Sequence, residues 1–576
     1  MKDTSPDVPS HGRSGTLPAC CPVPADLSHL TAADAPAGFR GQFRTDLLAR
    51  ALYAEGAGIA RCLPAAVAVP ADADDVGGLV AWAKRTGAAL IPRGSGSGMA
   101  AGAVGPGVVV DLSRLDRLGT VDTELERLRA GTGALRGVID RAARTQRLRF
   151  PVDPSSGAFC TIGGMLATNA AGARTLRFGA TRPWIVGVRC VFDDGSDAWV
   201  HRDRLLPLHV PAVRRLVRAL EEIGRRVPAE LLVHAGVRKE SSGYGIAAAL
   251  APGGHLVDLL VGSEGTLAFF TEVEVALLPV ATSTATVLAT FGSLEAATEC
   301  AGRAAALGVT ACELLDRTFL SVAARGGATG VPTNAEAVLI AEVEGDTTDT
   351  CRGHLSSLMQ SWRLSGAMEL HAGLDPEAEQ RLWALRHAAS PILSQLAPQL
   401  RSMQFIEDSC VPPSHFPAYV RGVRDLLDRA GVMGVIFGHA GDAHAHVNPL
   451  VDTTRPGWRE TVESVLLDVC NLTARLGGTL AGEHGDGRLR APLLDRVWGL
   501  EARAAFAHVK DAADPSGVLN PGCKVATPGA VPFEVLRHDP AAPALPAEAA
   551  AALADIERTR DWSRFRLGTA LAATAG

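Results

Sequence analysis

Regular alternation of apolar and polar positions begins near residue 45. In VAVPADADDVGGLVAWAKRTGAALIPRG the pattern predicts a strand, a helix capped between Asp72 and Asp75, and a second strand ending at Pro92. VVVDLSRL reads as another strand, and short strands and helices alternate to about 280, punctuated by glycine. From 282 a second unit opens with TATVLATFGSLEAATECAGRAAALGV, a strand followed by a helix. Further helices are expected over roughly 376–396, 414–430 and 457–476. Residues 1–44, rich in Pro, Ser and Asp, predict a flexible tail, and the Ala- and Pro-rich residues 527–576 predict a peripheral one. No internal repeat is visible.

A chain of 576 residues is long enough for two to four domains, and 47% hydrophobic residues supply their cores. The net charge of −6, with Arg scattered rather than blocked, argues against nucleic acid as a partner. The polar start MKDTSPDVPSHGRSG has no apolar run of the secretory kind, and no uncharged apolar stretch reaches membrane-spanning length. A cytoplasmic protein is expected, with peripheral attachment to a membrane left open. The 11 cysteines include no CxxC pair, which excludes a Cys-based cluster or zinc site and predicts reduced, buried thiols.

Four glycine-rich segments carry the first chemistry. Ile91 to Gly105, IPRGSGSGMAAGAVG, can bring backbone N–H groups close to a phosphate; a plain tight turn is the alternative. It satisfies the dinucleotide fingerprint formally, but a strand follows it where that fingerprint needs a long helix. Pro151 to Trp184 is a long run of small and polar residues suited to wrapping a flat ring system, or to close helix packing. Arg238 to Gly245 is RKESSGYG. In Asp258 to Pro279, the turn Gly262-Ser263-Glu264-Gly265 feeds an alternating strand that starts after Thr271.

Two segments in the second half concentrate imidazole. In VIFGHAGDAHAHVNPL, a hairpin with Asp442 and Ala443 as its two-residue loop would make His439 and His446 direct cross-strand partners. His444, His446 and Asn448 would then share that face. Neutral imidazoles so gathered suit a divalent transition metal. In GGTLAGEHGDGR, Glu483 and His484 stand between glycines, offering a hard ligand and a base.

Together these segments resemble the vanillyl-alcohol oxidase and p-cresol methylhydroxylase (PCMH) superfamily of FAD-binding proteins. Within it they are similar to the branch of D-lactate dehydrogenases, D-2-hydroxyglutarate dehydrogenases and glycolate oxidase subunits. The resemblance implies an α+β chain: a two-subdomain PCMH-type FAD domain over 45–281 and a ferredoxin-like C-terminal substrate and metal domain over 282–526. The last twenty or so residues of the latter, the NPGCKV segment with Asn520, return to the FAD domain. It places FAD pyrophosphate on Pro92, Arg93, Gly94, Ser95, Gly96, Ser97, Gly98 and Met99. It lines the flavin with Pro154, Thr161, Gly163, Gly164, Thr168, Asn169, Gly172, Gly262, Glu264 and Gly265. No His stands near the first loop, so non-covalent FAD is implied. His439, His446 and Glu483 become ligands of a divalent metal, zinc first, with manganese or iron as alternatives. His484 becomes the catalytic base, Arg386 of the LWALR helix binds the substrate carboxylate, and Asn448 touches substrate or orders its surroundings.

The implied activity is oxidation of a D-2-hydroxy acid, D-lactate first. IEDSCVP, Ile406 to Pro412, lacks the Lys expected in a dicarboxylate-specific member, which lowers D-2-hydroxyglutarate. A glycolate oxidase FAD subunit and a non-redox flavin-dependent alkyl transferase are the alternatives. With no iron–sulfur motif, electrons would leave to a quinone, a cytochrome, a partner protein or oxygen, and a homodimer is compatible with the resemblance.

Overall fold

The computed structural model describes Leu27 and residues 29–393 and 399–573, with backbone alone for 387–393 and 570–573. The expected tail residues 1–26, with Cys20 and Cys21, lie outside the described residues, as do 394–396 of one expected helix.

The first sheet runs in the order Gln42–Arg44, Ala66–Val69, Val108–Asp111, Leu90–Arg93. Its last three strands are parallel, so both faces need covering, and AVAV and VVVD are apolar on both sides. Ala66, Ala68, Val108 and Val110 face helix Ala73–Thr86. Asp72 caps that helix by accepting from Asp74 N and Asp75 N, and Gly87 ends it in the left-handed region.

Both tails are corrected here. Gln42–Arg44 is an edge strand on Ala66–Val69, and Leu27 and Phe43 are buried against the same core, so the expected flexible tail does not extend to residue 44. The C-terminal segment is no periphery either. Val67, Val69, Ile91 and Val109, on the second face of the parallel sheet, cluster with Ala549 of helix Ala547–Thr559 and Leu567 of helix Arg566–Ala573. The sheet needs that cover.

A second, antiparallel sheet has five strands in the order Leu118–Asp122, Arg127–Gly131, Phe269–Ala276, Ile185–Val191, Asp197–His201. The strand expected after Thr271 starts three residues earlier, at Phe269. The third sheet has seven antiparallel strands: Ala367–Gly373, Ser283–Phe291, Ala337–Gly345, Ala311–Asp316, Met433–Gly438, His446–Asp452, Leu400–Ser402. One face carries helices Leu294–Ala304, Thr348–Leu364, Phe416–Arg429 and Trp458–Arg475. The other packs Arg317–Arg325 and Pro376–Leu393. Helix Leu500–Ala513 then packs on Pro211–Arg226 of the first half, and the backbone of Val518 and Asn520 bonds to Leu90. No helix among the described residues is long and apolar enough to cross a membrane.

Candidate active site

A cavity of about 910 Å³ is lined by residues from all three sheets and is large enough for a bulky cofactor with a small ligand. Residues 92–99 form one wall. Arg93 does not point into it. Its guanidinium is buried and donates to the carbonyls of Tyr53, Glu55 and Ala103, which pins the loop from behind. Gly96 has φ +75°, and a Cβ there would lie 2.3 Å from Arg93 Nη2. The loop therefore offers the cavity mainly its backbone.

Pro154, Thr161, Gly163, Gly164, Thr168, Glu264 and Gly265 also line the cavity. Four expected residues do not. Asn169 caps helix Ile162–Thr168 and accepts from Arg182 N; Gly172 accepts from Lys239 Nζ; Gly262 N bonds Leu166 O; Asn520 Nδ2 donates to Gly102 O and Glu264 O. They hold the walls from outside.

At the far end three side chains converge. His439 Nε2 lies 3.1 Å and His446 Nε2 3.3 Å from Glu483 Oε1. The expected hairpin is not how this happens. Residues Ala440–Asp442 form a 3-10 turn, Ala443 takes φ +57°, and the strand partner of His446 is Phe437. His439 thus stands beyond its strand's end and swings over His446, ring centroids 5.1 Å apart. His444 is also outside the strand, fully buried beside both.

Each of these groups is oriented by a neighbour that local patterning missed. His439 Nδ1 donates to Glu313 Oε1 at 2.5 Å, and Glu313 Oε2 accepts from Arg386 Nε at 2.6 Å. His446 Nδ1 donates to the Glu407 carbonyl at 2.7 Å, which leaves Nε2 with its lone pair facing Glu483. Lys239 Nζ, fully buried, holds Glu483 Oε2 at 3.1 Å and so turns Oε1 toward the imidazoles. Asp408 accepts from the backbone N–H of Glu483 and His484 and pairs with His444 Nε2. Glu407 pairs with Arg490 and lies 3.2 Å from His484 Nδ1. Lys239 stood in RKESSGYG, and Glu407 and Asp408 in IEDSCVP; the available signal was buried charge inside apolar or glycine-rich segments.

The donor set suits a divalent cation. At metal–ligand bonds of about 2.0–2.2 Å, neighbouring ligands stand about 3.0–3.5 Å apart, the spacing found around Glu483 Oε1. His439, His444, His446 and Glu483 could hold one ion, and so could Asp408, His446, Glu483 and His484. Two buried atoms in this cluster, His444 Nδ1 and Glu407 Oε2, have no hydrogen-bond partner. Burial opposes ionisation of Glu483, yet Lys239 and His439 hold its carboxyl well below the usual range. Burial alone would lower His439 and His484, but Glu313 lifts the first and Asp408 and Glu407 the second, each to about 9. Burial pushes His444 down to about 3, against the pull of Asp408.

Arg386, Asn448, His439, His446, Glu483 and His484 all line the same cavity as the 92–99 loop. Glu264 joins the two ends: its carboxylate accepts from Asp486 N at 2.7 Å and Gly487 N at 2.9 Å, and Lys524 Nζ lies 2.9 Å away. A backbone-lined loop, a cavity of cofactor size and a buried ligand cluster share one chamber, an arrangement suited to a phosphate-bearing cofactor beside a cation.

Comparison with known proteins agrees. Residues 64–200 match the family described as FAD binding domain, and residues 280–523 that described as FAD linked oxidases, C-terminal domain. The chain therefore carries an FAD-binding domain followed by an FAD-linked oxidase C-terminal domain, and it is an oxidoreductase. It is 28% identical over 464 residues to glycolate oxidase subunit GlcD of Bacillus subtilis, covering 80% of this chain and 88% of that one. It is 27% identical to D-lactate dehydrogenase of Archaeoglobus fulgidus over 79% of this chain and 90% of the relative. It is 29% identical to D-2-hydroxyglutarate dehydrogenase of Pseudomonas putida over 85% of this chain, but spans only 51% of that protein. The solved 4-ethylphenol oxidase from Gulosibacter chungangensis superposes with TM-score 0.61 at 15% identity, covering 84% of this chain and 94% of that one. An alkyldihydroxyacetonephosphate synthase superposes with TM-score 0.57 at 16% identity, covering 83% of each chain. These two likenesses speak to fold alone.

Proposed function

We propose that the protein oxidises a D-2-hydroxy acid, D-lactate first, to the 2-oxo acid, using non-covalent FAD and a divalent metal, zinc first. The observation that carries this reading is the approach of His439 Nε2 and His446 Nε2 to one oxygen of Glu483, inside the cavity walled by the 92–99 loop. When bound, FAD supplies the two-electron acceptor and the cation a Lewis acid toward the substrate oxygens.

The chain's own residues do the rest. His439, His446 and Glu483 would hold the cation, with Glu313, the Glu407 carbonyl and Lys239 fixing their orientation. Arg386, stacked 4.8 Å over Phe437 and held by Glu313, would grip the substrate carboxylate. His484 Nε2, 3.9 Å from Glu483 Oε1, would receive the hydroxyl proton while in its neutral form, which a cation held on Glu483 would favour by repelling the imidazolium; Asp408 and Glu407 would then stabilise the charge it gains. Asn448, buried on the strand beside them, would contact the substrate. Electrons would leave to a quinone, a cytochrome or a partner protein; a cytoplasmic location fits this reading.

Anaerobic addition of D- and L-lactate, D-2-hydroxyglutarate and glycolate, with metal analysis of the same sample, tests it. Bleaching of the flavin by a D-2-hydroxy acid is expected. Bleaching by none of them overturns the assignment and leaves non-redox flavin chemistry such as alkyl transfer.

A further inference from the structure

The C-terminal segment carries a buried charge that the proposed reaction does not use. Arg566 begins helix Arg566–Ala573 and is only 2% exposed. Its Nε and Nη1 are buried with no hydrogen-bond partner, and Nη2 reaches only the Ser95 carbonyl, at 3.5 Å. The nearby acids are engaged elsewhere. Asp111 accepts from the Tyr53 hydroxyl and from Ser113 N, and Glu55 pairs with Arg61 and Arg537. The guanidinium rests on the ring of Trp562, 5.1 Å from its centroid, and both Trp562 and Ser95 line the cavity. Arg93, behind the same loop, adds a second buried guanidinium with an unpaired Nε. Burial, and then the repulsion of Arg93, pushes Arg566 down to about 9.

A buried cation without a carboxylate partner is costly, and two behind one loop are costlier, unless an anion comes close. The segment is also tied to that loop by backbone. Arg61 N bonds Val535 O, Arg537 N bonds Ile59 O, and Ala57 N bonds Gly96 O.

We propose that Arg566 is the charge support for the FAD pyrophosphate, delivered by the C-terminal segment, so that residues 533–568 are part of the cofactor site. The ligand class is a diphosphate diester, whose two negative charges on the cavity side of the Gly94–Gly98 backbone answer the guanidiniums behind it. This rests on the reading that FAD lies with its pyrophosphate on that loop. Arg566 acts through the loop as a positioning residue.

The test is flavin binding to deflavinated protein, followed by fluorescence quenching, with FAD and riboflavin as probes at roughly 50 and 200 mM salt. Arg566→Met should weaken FAD about tenfold to hundredfold, leave riboflavin unchanged and flatten the salt dependence of FAD affinity. Arg566→Lys should recover most of the loss. Wild-type FAD affinity in Arg566→Met overturns the proposal. So does an equal loss of FAD and riboflavin with the salt dependence unchanged, since that marks a merely structural side chain. If the wild type itself does not prefer FAD to riboflavin, the pyrophosphate placement is wrong and the proposal falls with it. That failure shows before any variant is made.

Discussion

Glu313→Gln probes the bridge between the two halves of the proposed chemistry. Glu313 is fully buried on strand Ala311–Asp316, with Oε1 2.5 Å from His439 Nδ1 and Oε2 2.6 Å from Arg386 Nε. A carboxylate accepts from both. A carboxamide accepts from one and presents N–H₂ to the other. If the amide nitrogen faces Arg386, two donors meet and a buried guanidinium loses its counter-charge, which costs about 3–5 kcal/mol. If it faces His439, the imidazole must carry its proton on Nε2, the atom aimed at Glu483, and metal affinity falls by about tenfold to hundredfold. Either arrangement damages the site. The melting temperature should drop by roughly 2–10 °C, or chelator competition should show the affinity loss, and partial relaxation will show some of each. Glu313→Asp, which keeps the charge, should lie between variant and wild type. A Glu313→Gln protein with the parent's melting temperature and cation affinity would falsify the role given to this bridge.

Chelation should abolish turnover, and zinc or manganese should restore it; full activity in a demonstrably metal-free sample refutes the cation. His484→Asn should keep FAD bound but slow flavin reduction at least about a hundredfold in stopped flow, and unchanged kinetics remove His484 from the mechanism. Glu264→Gly relieves a left-handed residue at φ +54°, a gain of about 1 kcal/mol, but strips the acceptor from two buried N–H groups at about 1–3 kcal/mol each. Net destabilisation is expected in thermal melts, and a more stable protein would show that the carboxylate does not matter. His538 is held neutral: burial, with Arg537, Arg401 and Arg61 adding to it, pushes it down to about 3. Freed from the fold it takes a proton near pH 6.5, so docking of the C-terminal segment should weaken as pH falls from about 6.5 toward 3. Hydrogen exchange over 533–568, corrected for intrinsic rates, should show less protection at pH 5 than at pH 8; the reverse contradicts the sign.

The parts of this molecule that can be read from sequence are those whose cause is local. The cap at Asp72, the stop at Gly87 and the apolar spacing between them locate one helix, because all three act within a few residues. GEHG and the three histidines of GHAGDAHAH point to ligand chemistry for the same reason. What orients them is not local. Glu313 is 126 residues from His439, and Lys239 is 244 from Glu483, so no periodic pattern relates them. The hairpin failed at finer scale: a two-residue loop was assumed, whereas a 3-10 turn and one left-handed alanine shift the register so that Phe437, not His439, faces His446. The Ala and Pro content of the C-terminal segment masks its packed structure. Its helical signal was nevertheless present, since Ala549, Leu553 and Ile556 fall at the spacing of one helix face, and all three are buried.

The placement of Glu264 shows how the two halves are kept in register. Hydride transfer needs the acceptor and the substrate carbon within a fraction of an ångström of their productive geometry, and here one would be set by the first half and the other by the third sheet. A gap between independently packed units drifts by more than that unless something rigid crosses it. Glu264 belongs to the turn between the flavin-side walls, yet its carboxylate is spent on the N–H groups of Asp486 and Gly487, two residues beyond His484. Lys524 sits between Glu264 and Asp486 and bridges them, one positive charge shared by two carboxylates. Gly485, at φ +80°, lets the loop come this close, because a Cβ there would lie 2.6 Å from Glu264 Oε1. The chain therefore accepts a left-handed glutamate, where glycine would be cheaper, at the one turn that must carry a side chain across. Under the proposed function, strain held at that point would serve the alignment of cofactor and base, a role the turn by itself does not require.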